Sequence, residues 1–215
     1  EVRVKEFKQL IKTLHQNNIK VVMDVVYNHT FDAAESCFHK VAPYYYYRMD
    51  GNQYSNGSEC GNETASERAM VRKYILDSVH YWAEEYHIDG FRFDLMAIHD
   101  IETMNQISQT LHHFNPNILI YGEGWTAGKT GISEQNQALK KNIGKIDGIA
   151  AFNDDLRDGL KGSVFYTSNT GFVNGGNDLE ETIKFGVTGA TCHDQINYKK
   201  INYSTNYWAT KPSQC

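Results

Sequence analysis

The chain is poor in the features that would sort it quickly. It has only 3 prolines in 215 residues, so its loops are not stiffened by fixed φ angles. Its four cysteines, 37, 60, 192 and 215, form no CxxC pair, which argues against a zinc site. Cys37 and Cys60 could bridge within one loop, but free thiols are the preferred reading. There is no excess of positive charge. The 21 basic and 26 acidic residues leave a net charge of −5, which does not suit a nucleic-acid binder. No apolar run nears the ~20 residues of a membrane span. Internal repeats and low-complexity tracts are also missing. What remains is 40% hydrophobic and 22% charged, enough to bury a core. Aromatics reach 13%, with 14 tyrosines, a composition that suits flat, polar-rimmed ligands. The chain opens without Met and inside a helical pattern, so a fragment is expected, and no compartment can be assigned.

Residues 2–16 place Phe7, Leu10, Ile11 and Leu14 at helical spacing, ended by Asn17-Asn18. IKVVMDVVYN (19–28) is a continuous β-branched run, the pattern of a strand buried on both faces. The stretch 31–65 is too long for an ordinary βα connection and is expected to be a functional insertion. A helix is predicted over 67–86, N-capped by Ser66, with Ala69, Tyr74, Val79 and Trp82 among its apolar positions. IDGFRFDLM (88–96) predicts a strand. IETMNQISQTLHHF (101–114) predicts a helix stopped at Asn115-Pro116. Strands are predicted again at 118–125 and 147–154, with weak helicity at 134–143. The tail from 160 reads as irregular with short helices. Such αβ alternation predicts an α/β fold with parallel strands. Four strands could belong to a doubly wound sheet or to part of a closed barrel, and periodicity does not choose between them.

In parallel α/β folds the site lies where strands end. The first predicted strand ends with Asp24, Asn28 and His29, and period 2 puts Asp24 and Asn28 on one face. The second ends Arg92-Phe93-Asp94, so a guanidinium can hold a carboxylate ionised. The third ends Gly122-Glu123-Gly124-Trp125, where two glycines around one carboxylate leave room for a ligand. The fourth ends Asn153-Asp154. Paired carboxylates on neighbouring strand ends suit glycoside hydrolysis, with one attacking and one protonating the leaving oxygen. Asp94 suits the nucleophile and Glu123 the acid/base. A retaining mechanism would place them about 5–5.5 Å apart. Taken singly, each feature has a plainer reading: a strand-end Asp as a helix cap, Arg92–Asp94 as a structural ion pair, Trp125 as core. Their order on consecutive strands favours the chemical reading.

DVVYNHT (24–30), DGFRFDLM (89–96) and YGEGW (121–125) resemble the first three signature regions of the α-amylase superfamily, glycoside hydrolase family 13. APYYYYRMDG (42–51), AFNDDLRDGLKGS (151–163) and FGVTGATCHDQINYKKINYS (185–204) resemble its debranching branch, the bacterial type I pullulanases. The resemblance covers essentially the whole chain. It implies a partial (β/α)8 TIM barrel, with these as roughly strands 3 to 6 and a long loop, 31–65, after strand 3. It makes residues 1–215 one partial catalytic domain. It implies Asp94 as nucleophile and Glu123 as acid/base, with His29, Arg92, Asn28, Asp24, Trp125 and Met96 binding substrate. The implied activity is hydrolysis of α-1,6 branch links in pullulan and related α-glucans. An isoamylase-like or glycogen-debranching enzyme is the near alternative, and a non-catalytic α-glucan-binding protein the alternative of another class.

The family's fourth region, with its third carboxylate, would lie beyond Cys215, so the isolated chain is expected to be inactive. His193-Asp194 falls in the stretch that precedes that region and is not taken as its equivalent. Asn28 matches a position that helps bind calcium in some amylases. Debranching enzymes need not share it, so no essential metal or cofactor is expected. The expected partner is an α-glucan polysaccharide or oligosaccharide, with no nucleic acid or membrane, bound by a monomer.

Other signals are discounted. A phosphate loop ending at Gly128-Lys129-Thr130 would need glycine where Glu123 stands. A metal phosphohydrolase built on His99-Asp100 and His193-Asp194 rests on too few ligands. The run Tyr44 to Tyr47 reads equally as packing or as sugar-stacking surface. Asn-x-Ser/Thr triplets at Asn28, Asn56, Asn62 and Asn202 are not read as glycosylated.

Overall fold

The structure is a computed structural model that describes residues 1–201 and 209–215. The Asn202 triplet and the end of the 185–204 stretch lie outside the described residues.

Helix α1 (Val2–Gln16) leads into β1 (Val22–Val25). After a long connection come α3 (Ala69–Tyr86), β4 (Gly90–Phe93), α4 (Ile101–Phe114), β5 (Leu119–Gly122) and β6 (Ala150–Ala151). The connection between β1 and α3 holds a short helix, α2 (Cys37–Val41), and a hairpin of β2 (Met49–Asp50) and β3 (Gln53–Tyr54). Helices α5 (Asp154–Lys161) and α6 (Glu180–Val187) follow β6 and pack on each other. The four strands β1, β4, β5 and β6 form one parallel sheet in that order, as the alternation of elements predicts.

Sequence patterning sets most boundaries. Helix α1 stops where Asn18 turns left-handed, at φ 57°. Helix α4 starts at Asp100, whose side chain accepts from the Thr103 N–H, a cap of about 1 kcal/mol. Three expectations fail for packing reasons. Strand β1 is not buried on both faces: Val22 and Asp24 are exposed and only Val25 is buried, because β1 has a neighbour on one side only among the described residues. Leu10 of α1 is exposed, and Ile11 carries that helix's burial. Helix α3 begins two residues later than predicted, and Ser66 does not cap it. Ser66 is buried and donates to Asp100 Oδ2 at 2.7 Å instead. The face α3 buries is Val71, Ile75, Val79, Ala83 and Tyr86, so Ala69 and Tyr74 stay exposed.

One apolar core runs through the sheet and α3–α4, centred on Phe91, Phe93, Ile75, Met104, Ile107 and Leu111. A smaller cluster of Phe185, Ala190, Ile196 and Ile201 sits in the tail. All four cysteines are unpaired. Among the described residues no helix is long and apolar enough to cross a membrane.

Candidate active site

The parallel register aligns Asp24 with Arg92, and Arg92 with Tyr121. Backbone pairing continues past the strand ends. The Asp94 N–H donates to Val25 O at 3.1 Å, and the Glu123 N–H to Phe93 O at 3.0 Å. Asp94 and Glu123 therefore leave adjacent strands at the same level, each with its backbone fixed.

Arg92 joins the carboxylates. Its Nη1 donates to Asp24 Oδ1 at 2.8 Å and to Asp94 Oδ1 at 3.0 Å, and its Nη2 donates to Glu123 Oε1 at 2.6 Å. Burial works against its charge, but bonds to Asp24 and Asp94 and the Glu123 charge outweigh that and raise its pKa. The guanidinium also lies 5.7 Å from the centre of the Phe152 ring.

The second oxygen of Glu123 accepts the Leu95 N–H at 2.9 Å. Leu95 reaches that position in a left-handed conformation, φ 40°, unusual for a side chain of its size. The buried turn Met96–Ile98 follows. Asp94 has a second support in Asn28, a buried side chain whose Nδ2 donates to Asp94 O at 2.7 Å and Oδ2 at 3.0 Å. That orientation leaves Asn28 Oδ1 to accept from His29 Nδ1 at 2.5 Å.

The structure thus gathers Asp24, Asn28, His29, Arg92, Asp94 and Glu123 into one contact chain. The route differs from the expected one: β1 ends at Val25, so strand alternation does not reach Asn28. Trp125 lies near Phe152, ring centres 6.2 Å apart and tilted 31°, and Phe152 meets Tyr121 edge-on. Met96 is fully buried and packs beneath Gly122. The two glycines do not leave ligand space. A Cβ on Gly122 would lie 2.7 Å from Phe93 O, and one on Gly124 2.7 Å from Lys140 N, so both are reserved for close backbone approach. At the fourth strand the plainer reading holds. Asn153 Oδ1 accepts the Leu156 N–H and caps α5, and Asp154 ion-pairs with Lys140.

A cavity of about 780 Å³ opens beside this cluster, lined by Leu95, Trp125, Lys140, Asp154, Phe165 and Tyr166 among others. Phe165 and Tyr166 are largely exposed, as surface rings that can stack on a ligand are. Tyr47, by contrast, is fully buried and its hydroxyl meets Thr30 and Ser36, whereas Tyr44 is exposed. His193-Asp194 is exposed and pairs within itself. Among the described residues no group of three or more His, Cys, Asp or Glu side chains is arranged to hold a metal.

Sequence reasoning missed Phe152, hidden in a run read only as strand, and the buried charges Arg48 and Glu63. It weighed His99 only as a metal ligand. His99 is fully buried, neither ring nitrogen has a hydrogen-bond partner among the described residues, and burial, helped by Arg48, pushes its pKa down to about 4.

No family model matches the chain. Named relatives do. The pullulanase of Bacillus subtilis (strain 168) is 41% identical over 220 residues, covering 97% of this chain and 30% of that protein. The crystal structure of a Paenibacillus barengoltzii pullulanase complexed with maltohexaose and α-cyclodextrin superposes with a TM-score of 0.88 at 44% identity. It covers 99% of this chain and 32% of that one. A pullulanase from Bacillus acidopullulyticus matches 87% of this chain and 23% of its own, with a TM-score of 0.83 and 52% identity. The fold and these relatives together place the chain among pullulanase-type proteins. It belongs to the pullulanases, as a segment spanning 23–32% of the length of the relatives named.

Proposed function

We propose that the chain carries the nucleophile and acid/base of a retaining α-1,6-glucan hydrolase acting on pullulan and related branched α-glucans. The observation that carries this is Arg92, bonded at once to Asp24, Asp94 and Glu123 on neighbouring strand ends. In this reading the four-stranded sheet forms roughly strands 3 to 6 of a (β/α)8 barrel. Residues 1–215 are one part of its catalytic domain, with 31–65 inserted after the first of these strands.

Asp94 attacks the anomeric carbon while Glu123 protonates the departing 6-oxygen, leaving a glycosyl ester on Asp94. Glu123 then takes a proton from water, the water oxygen bonds to the anomeric carbon, and Asp94 is released. Asn28 and Arg92 hold Asp94 in line for attack. For Glu123 to reach the glycosidic oxygen, its contact to Arg92 must give way to substrate. In this reading His29, Asp24 and Trp125 bind the sugar, while Met96, expected to bind substrate, is fully buried beneath Gly122 and supports the strand end without touching the sugar. The third carboxylate of the family is assigned to the remainder of the barrel.

No metal or cofactor takes part in this scheme. A cation at Asn28 would need Oδ1, which here accepts from His29. The substrate is the one partner the scheme needs, and a monomer suffices.

The test is product analysis of the full-length protein on pullulan and on glycogen. Efficient oligosaccharide release from pullulan supports the proposal. Release from glycogen alone would assign an isoamylase-like activity, and binding without turnover a glucan-binding protein.

A further inference from the structure

The loops after β1 and after β5 both border the site, and a single buried carboxylate ties them together. Glu63 is fully buried. Its Oε1 accepts from Thr130 Oγ1 at 2.7 Å, from the Gly131 N–H at 2.9 Å and from Arg48 Nη1 at 3.2 Å. Its Oε2 accepts the Gly57 N–H at 2.6 Å. Gly57 O in turn accepts the Ala127 and Gly128 N–H groups at 3.0 and 2.9 Å. A Cβ on Gly57 would lie 2.4 Å from Glu63 Oε2, so only glycine fits against the carboxylate.

The residues on either side of Glu63 face the other way. Asn62 and Thr30 exchange hydrogen bonds at 2.8 and 3.0 Å. The Thr64 N–H donates to Asn28 O at 2.9 Å, and Thr64 Oγ1 to Tyr27 O at 2.7 Å. Three consecutive residues therefore join the Asn28–His29 edge of the site to the loop that leaves Glu123 and carries Trp125.

We infer that Glu63 is a positioning residue that locks the Trp125 loop to the Asn28–His29 edge, so that a glucan is gripped by one rigid frame. Burying a charge seldom stabilises more than apolar packing would, and a carboxylate with four donors contributes fixed geometry instead. Asp94 and Glu123 each keep supports that do not run through Glu63: Arg92 for Asp94, and the Leu95 N–H and the β4 backbone for Glu123. Loosening the frame should therefore weaken substrate binding more than turnover. The inference rests on the reading of the site proposed above.

The experiment is steady-state kinetics on pullulan with the full-length protein and its Glu63→Gln and Thr130→Val variants. A Gln amide puts a donor against one of the donors that the carboxylate now satisfies. KM is expected to rise about tenfold in Glu63→Gln with kcat changed less than threefold, and KM about threefold in Thr130→Val. Unchanged KM in folded variants, or a fall in kcat alone, would overturn the inference. If Glu63→Gln does not fold, Thr130→Val decides. Wild-type turnover tests the proposed function separately. If the wild type binds but does not cleave, the Kd for maltotetraose in Thr130→Val is read by the same threefold criterion.

Discussion

Arg92 Nη2 sits 2.6 Å from Glu123 Oε1, while the other terminal nitrogen of the same guanidinium binds Asp94. One planar fork thus spaces the two carboxylates proposed for catalysis, and it does so from the strand that also carries Asp94. Lysine could supply the charge but not the fork.

Arg92→Lys in the full-length protein is therefore expected to lower kcat on pullulan by roughly 10²-fold or more, with the melting temperature nearly unchanged. Rate assays and circular dichroism on the same preparation check this. A variant within threefold of wild type would show that the bridge is only structural.

His99 makes acid stability the next test. Its ring is enclosed, near Arg48, Asp94, Asp100 and the Phe93 ring, and its pKa is pushed down to about 4 against 6.5 when free. The unfolded chain binds this proton more readily, so stability is intact above pH 6.5 and falls as pH drops toward 4. The loss is on the order of 3 kcal/mol. Urea melts at pH 7.5 and 4.5 should show His99→Leu losing less stability on acidification than wild type. Equal losses would exclude His99 as the source.

Gly124 approaches the Lys140 backbone so closely that any side chain must move one of the two segments. Gly124→Ala is expected to displace the Glu123–Trp125 loop and cut kcat/KM at least tenfold. Unaltered kinetics would show that the loop absorbs the shift without consequence.

Much of this was legible in the sequence. Helices α1 and α4 followed from apolar spacing and their stops, and the parallel sheet followed from the alternation of elements. Asp94 and Glu123 stood out as carboxylates at the ends of consecutive predicted strands, in motifs that resemble a known family's. What was not legible depends on long-range packing. The exposure of β1 depends on its place at the end of the described sheet, which local pattern does not encode. Ser66 looks like a cap, but a buried Asp100 offers it a partner 34 residues away. The Gly122–Gly124 spacing looks like ligand space, yet Phe93 and Lys140 occupy it. Glu63 looks like one more surface acid until the four donors around it are seen together.

The central claim is that Asp94 forms the covalent intermediate and Glu123 resolves it. The direct measurement is peptide mass spectrometry of the full-length Glu123→Gln protein after exposure to an α-maltosyl fluoride, whose leaving group needs no acid. The account predicts a glycosyl adduct on the peptide that contains Asp94, and no adduct when Asp94→Asn is added. An adduct elsewhere, or rapid pullulan cleavage by the Glu123→Gln protein, would contradict it.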